Sequence, residues 1–261
     1  MKRRGHMAGI FGELTARDFQ VDFSSHAEAI VASDFPDVAA ELVQALSTMT
    51  IPIKEIVAGG GGEAKGTQRL RRSLSALGWT KRKFIIEKVV NGVQTQSQSH
   101  EVDHVRDYGE AGRIALEIEW NNKDPFYDRD LENYKRLHAD GAISVGIIIT
   151  RGKSLHGGMR NLVGRFLDER QIQDLESLVE WGYDPTKRQR AGILDRMARA
   201  KAPMTFREAF TDMFVSDKFG EATTHWRKLE DRIKRGVGNP CPLILIGLPD
   251  TIVTFSEEKT D

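Results

Sequence analysis

Cysteine is almost absent: Cys241 stands alone, which excludes an internal disulfide and leaves a small apolar residue as its plain role. No Cys/His spacing resembles a zinc site. No apolar run reaches the ~18 residues a bilayer span needs, and the N-terminus lacks the apolar stretch of a secretory signal. The expectation is a soluble intracellular protein with no membrane partner. Net charge is also missing, since 38 basic residues balance 38 acidic ones. That excludes a chain holding nucleic acid by bulk electrostatics alone, so any DNA contact must be local. The four-glycine run at 59–62 leads into Lys65-Gly66, without the Gly-Lys-Ser/Thr ending of a phosphate loop, and no nucleotide cofactor is expected. There is no internal repeat and no low-complexity tract. What is present, 261 residues with 39% hydrophobic, suffices for one domain with a substantial core.

Apolar periodicity divides the chain. Residues 27–49 read as helix, broken at Phe35-Pro36, with Val38, Leu42 and Leu46 on one face. Leu70, Leu74 and Leu77 mark a second helix ended by Gly78, whose opposite face carries Lys65, Arg69 and Arg72. Residues 83–90 have strand composition and end at Asn91-Gly92, a strong hairpin signal. The returning strand is polar over 94–99 and gains strand character at 101–107. In the next strand, 113–120, Ile114, Leu116, Ile118 and Trp120 share one face while Glu117 and Glu119 share the other. A helix over 128–139 and an apolar strand over 142–150 then complete a crossover with parallel strands. Further helices are expected at 168–181, 205–214 and 221–235, with a last strand at 242–248.

If the turn between the strands centres on Glu110, Asp103 lies directly opposite Glu117. Opposed residues have Cβ atoms about 4.5–5.5 Å apart, and Glu119 projects from the same face. So much negative charge is unfavourable unless a cation sits among it, and hard oxygen donors suit magnesium, with manganese able to substitute. The plain alternative is the polar side of an amphipathic strand. Glycosidase chemistry also uses paired carboxylates but calls for sugar-stacking aromatics, and Trp120 is the one aromatic near and turns inward. His100 and His104 have the parity that points them away from Asp103 and read as structural or phosphate-contacting.

The segment Val102-Asp103-His104-Val105, followed by Glu117-Ile118-Glu119-Trp120-Asn121-Asn122-Lys123-Asp124, resembles the active-site segment of the BglII and BamHI type II restriction endonucleases. The continuation Phe126-Tyr127-Asp128-Arg129-Asp130-Leu131 and the strand end Ile148-Ile149-Thr150-Arg151 extend the likeness, which covers about residues 59–155. The resemblance implies an α/β fold of the restriction-endonuclease-like PD-(D/E)XK type, a mixed central sheet flanked by helices, as a single domain over residues 1–261. It implies a homodimer in the cytoplasm of a prokaryotic cell, acting on double-stranded DNA with one active site per strand. Asp103 and Glu117 would be metal ligands, with the Ile118 carbonyl as a further one. Glu119 stands where many relatives have lysine, so it would orient or deprotonate the attacking water, or hold a second metal. Glu63, before the basic helix, would be an extra carboxylate or a capping residue.

Hydrolysis through a metal-activated water would leave 5′-phosphate ends. Base reading would fall to Asn121, Asn122, Arg151, Lys153 and Ser154, whose plain readings are turn chemistry for the asparagines and solvated loop charge for the cations. Arg69, Arg72 and the cluster Lys81-Arg82-Lys83 suit phosphate contacts. A palindrome with a GATC centre is the site that relatives suggest. A DNA-binding module that does not cut, and a repair or nicking nuclease, are the competing readings.

Overall fold

In the computed structural model, which describes residues 9–58 and 63–256, the sheet is organised around two strands in which every residue is buried, β6 (Val145–Arg151) and β7 (Leu243–Leu248). Such uninterrupted apolar runs fit only where both sheet faces are covered. The six strands lie in the order β1-β7-β6-β5-β4-β3. Here β1 is Gln20–Ser24, β3 Thr80–Val90, β4 Val93–Asp107 and β5 Arg113–Glu119. Strands β5, β6 and β7 are parallel, while β1, β4 and β3 are antiparallel to their neighbours. The architecture is the expected mixed sheet flanked by helices. A two-residue pair, β2 (Ile51–Pro52) with β8 (Val253–Thr254), lies apart from it.

Alternate residues of the central strands feed two cores. Ile147 and Ile149 face one side with Ile114, Leu116, Ile244 and Ile246, and Ile148 faces the other with Ala115, Leu243 and Leu245. The first core is covered by α1 (Gly12–Thr15), α2 (Ala27–Asp34), α3 (Pro36–Ser47), α4 (Ile53–Val57), α5 (Lys65–Ala76), α7 (Lys153–Glu169), α8 (Leu175–Glu180), α9 (Lys187–Met197) and α10 (Phe206–Lys218). The second is covered by α6 (Phe126–Ala139) and α11 (Trp226–Lys234). Helix α6 is the crossover between β5 and β6, and it packs closely because Gly146 has no Cβ: one built there would meet Tyr134 Cδ2 at 2.4 Å. The Tyr134 hydroxyl then donates to Ile147 O at 2.9 Å.

The hairpin turns at Asn91 and Gly92, with φ of 51° and 79°, as a two-residue primed turn requires. Its tip carries exposed Val89, Val90 and Val93, and Ile85 is exposed midway along β3. Some expectations shift. Helix α7 begins at Lys153, where a loop was expected, and fills most of the interval before the expected 168–181 helix, of which α8 is the helical remainder. Gly157 and Gly158 in its opening turns lower helix propensity and hide it. The helix expected at 221–235 starts only at Trp226. The residues before it pair with the segment after β5, Asp124 N donating to Ala222 O at 3.0 Å and Thr224 N to Asn122 O at 2.8 Å. The glycine run at 59–62 lies outside the described residues. Among the described residues, no helix is long and apolar enough to cross a membrane.

Candidate active site

The short 3-10 turn at Gly109–Ala111 sets the register of β4 against β5, pairing His104 with Leu116 and Asp107 with Arg113. Continued one step, that register sets Asp103 beside Glu117, and the Asp103 amide donates to Glu117 Oε1 at 3.2 Å. Glu119, two positions on, keeps the same face. Its strand is fastened where Thr150 Oγ1 donates to Glu119 O at 2.8 Å, and its carboxylate accepts from Asn122 Nδ2 at 2.8 Å. Glu117 and Glu119 are 7% and 2% exposed. Asp103 is different: its side chain is half exposed at the rim and pairs with Lys81 Nζ at 3.3 Å, a lysine that also holds Glu101.

A further acid joins them from α6. Asp130, 2% exposed, is bound by Arg129 at 2.8 Å and shares a carboxyl–carboxylate hydrogen bond with Glu119. Sequence reasoning missed it, although a signal existed: Asp130 lies on the buried stripe formed by Tyr127, Leu131, Tyr134 and Leu137, where an acid has no packing reason to be.

Burial and mutual repulsion govern these groups. Glu117 is pushed up to about 9, first by burial, then by Asp130 and Asp103. Glu119 is pushed up to about 8, by burial and then Asp130. Asp130 is raised as well, chiefly by burial. Buried acids that hold protons against one another, two of them sharing one, are the environment a divalent cation relieves, and the donor set fits a hard ion. The side chains are nonetheless not drawn to one point. Among the described residues, the group of three metal-capable side chains with ligand atoms within 4.8 Å of one another is His156, Glu221 and His225. A cation at the carboxylates would have to turn Asp103 away from Lys81.

A cleft of about 1720 Å³ opens beside the site, lined by Glu63, Arg69, Arg71, Lys81, Asp103, Ile118, Trp120, Asn121, Asn122 and Lys218. Asp103 reaches it. Glu117 and Glu119 lie on the other face of β5, by the alternation that turns Ile118 and Trp120 into the cleft.

The remaining predicted residues are used in varied ways. Arg151 is 0% exposed, with Nε donating to Trp120 O at 2.9 Å and Nη2 to Thr223 Oγ1 at 2.6 Å and Thr224 O at 2.7 Å. Its guanidinium is spent on Trp120 O, Thr223 Oγ1 and Thr224 O, in contrast both to the base-reading residue expected and to the solvated loop charge that was its plain alternative. Lys153 and Ser154 are exposed on the first turn of α7, Lys153 pairing with Glu230 at 3.3 Å and Ser154 Oγ accepting from Asp250 N at 3.2 Å. Asn121 Nδ2 donates to Lys218 O at 2.9 Å, and its Oδ1 is buried without a partner. Arg69 makes a two-pronged pair with Glu55 at 2.7 and 2.9 Å. Arg72 is exposed, and Glu63 pairs with Arg71 at 3.0 Å. His104 is buried with Nδ1 3.3 Å from Leu116 O, a structural position, and burial lowers its pKa.

A family model described as restriction endonuclease BglII/BglIII matches residues 19–248. No curated protein matches the chain.

Proposed function

The chain belongs to the BglII/BglIII restriction endonuclease family, and from that premise we propose that Asp103 and Glu117 are the ligands of a divalent metal ion at which one phosphodiester is hydrolysed in each strand of a short palindromic DNA site. Membership makes the protein a type II restriction endonuclease, with DNA as its partner. The observation that carries the proposal is the hydrogen bond from the Asp103 amide to Glu117 Oε1 at 3.2 Å. It holds one acid of the rim against one acid of the buried face.

Magnesium is the proposed ion and manganese its substitute, with the Ile118 carbonyl as a further ligand. Bound there, the ion supplies positive charge for the phosphoryl and leaving oxygens and a water ionised near neutral pH. Glu119, held by Asn122 Nδ2 at 2.8 Å, orients that water and, once the bound cation has displaced its own proton, accepts the proton of the water, and the cut leaves 5′-phosphate ends. Lys81, exchanging its pairing with Asp103 and Glu101 for the scissile phosphate, supplies a cation there. Arg72 and the exposed lysines of the cleft side hold the backbone; Lys153 and Ser154, exposed on the first turn of α7, read base edges, and Asn121 and Asn122 do so on releasing Lys218 O and Glu119. The site read is a palindrome, with GATC at its centre, and the working unit is a homodimer in the cytoplasm.

Plasmid DNA incubated with the protein and magnesium tests this. Discrete bands whose ends map to one palindrome are expected, and they disappear with chelator. Retardation without cleavage would mark a binding module instead, and single-strand cuts at irregular structures would mark a repair nuclease.

A further inference from the structure

Away from the carboxylates, the first turn of α7, the loop after α10 and the residue preceding α11 bring together His156, Glu221 and His225. His156 Nε2 is 3.6 Å from Glu221 Oε1, and His225 Nε2 is 3.8 Å from Glu221 Oε2. The two imidazoles lie ring on ring, with centroids 3.8 Å apart and planes 5° from parallel. His225 is 1% exposed, yet its Nε2 has no hydrogen-bond partner. A buried ring nitrogen turned toward a carboxylate and left unpaired asks for a ligand. Burial and then Arg151 lower the pKa of His156, and burial and then His156 bring His225 down to about 4. Both rings are therefore neutral near pH 7, the form that offers a lone pair to a metal.

We propose that His156, Glu221 and His225 bind one borderline transition-metal ion, zinc foremost, at a site separate from the carboxylates. Imidazole nitrogen with a carboxylate is a donor set for zinc-like ions, whereas magnesium favours oxygen alone. Donors about 2.1 Å from a tetrahedral ion stand about 3.4 Å apart, so the 3.6 Å between His156 Nε2 and Glu221 Oε1 needs to shrink by only tenths of an ångström, and one ligand atom from each of the three residues already lies within 4.8 Å of the others. The parallel rings must splay to aim at a common ion. His156 is the ring able to turn, since its side chain is 22% exposed and its Nδ1 contact with Arg151 Nη1 is long, at 3.5 Å. Ligation through Nε2 puts the proton on Nδ1 and gives that contact up. Arg227 donates to Glu221 Oε2, which leaves Oε1 for the ion and orients the carboxylate as outer partners of metal ligands do. The charges of Arg151 and Arg227 oppose a cation, so affinity falls below that of a four-ligand structural zinc site. Three protein ligands leave a position for water.

The ion fastens a particular loop. The stretch from Glu221 to His225 pairs through Ala222 and Thr224 with Asp124 and Asn122, and Asn122 in turn holds Glu119. Zinc at this cluster ties α7 and α11 to the segment that follows the acidic strand.

Chelator-treated full-length protein carrying Glu117→Gln, which weakens the carboxylate site, is titrated with Zn2+ and with Co2+ as a spectroscopic probe. The expected result is one Zn2+ per chain by calorimetry, a rise in melting temperature that Mg2+ does not reproduce, and visible Co2+ absorption from nitrogen ligation. Glu221→Gln and His156→Asn each weaken Zn2+ binding at least tenfold. Glu221 has a side chain 60% exposed, so its substitution leaves the fold intact even where a change at buried His225 does not. Absence of saturable Zn2+ binding, or binding undiminished in both Glu221→Gln and His156→Asn, overturns the proposal.

Discussion

A carboxyl held at about 9, as at Glu117, keeps its proton in the folded chain at pH values where the unfolded chain has lost it. The folded state therefore binds more protons between the usual carboxylate range and about 9, and stability of the protein without divalent ions falls as pH rises through that window. Each such proton contributes a slope of at most about 1.4 kcal/mol per pH unit. Urea denaturation in chelator at pH 6 and pH 8 reads this directly: the parent is less stable at pH 8, and Glu117→Gln flattens the difference. A slope unchanged by Glu117→Gln would remove that residue from the account. The same protons compete with a cation, so Mg2+ affinity rises with pH by up to about tenfold per unit for each proton displaced. Asp130→Asn removes the largest charge acting on Glu119 and Glu117, and isothermal titration should show that rise beginning at lower pH. For catalysis, Asp103→Asn and Glu117→Gln each lower the cleavage rate by about 10²–10³-fold or more, the loss seen when one electrostatic group leaves an active site. Both variants still retard site-bearing DNA on a gel, and cleavage at the parental rate by either would move the active centre elsewhere.

Among the elements, the closest fit is α6 against β6. A Cβ at position 146 would lie 2.4 and 2.8 Å from Tyr134 ring atoms, so Gly146→Ala forces that buried ring to move and destabilises by about 1–3 kcal/mol. Adding Tyr134→Leu to Gly146→Ala recovers part of the loss in urea denaturation, because the second change clears the space the first requires. Elements of this kind were readable from local pattern: the apolar runs of β6 and β7, the alternation of β5, and the Asn91-Gly92 turn each carry their signal within a few residues. Strand β1 alternates as well, Val21 and Phe23 between Gln20, Asp22 and Ser24, but with two apolar residues in five it is too short for the pattern to stand out from a loop. Helix α7 was hidden by its glycines, and the loop before α11 adopts its course through backbone bonds to residues about a hundred positions away. The acidic site divides the same way. Asp103, Glu117 and Glu119 share a hairpin and follow from register, whereas Asp130 enters from a crossover helix. The burial of Arg151 and the meeting of His156 with His225 depend on packing that no local spacing records.

For the whole molecule, the balance of 38 basic and 38 acidic residues leaves no general attraction for DNA, and under the proposed function a double-strand cut needs two acidic sites presented together to one duplex. A palindrome offers the same bases to each protomer of a twofold dimer, and in the proposed homodimer each protomer cuts one strand. Mixing makes this measurable. Parent protein is refolded with an excess of Glu117→Gln protein, so that most active subunits sit in hybrid dimers, and supercoiled plasmid with one site is the substrate. Hybrid dimers cut one strand and release the other intact, so open circles accumulate where the parent alone gives linear DNA. If a single chain makes both cuts, the mixture gives linear product at a reduced rate, with no build-up of open circles, and the one-site-per-strand reading fails. The outcome is independent of the DNA sequence recognised, because it counts strands cut per binding event and not the bases read.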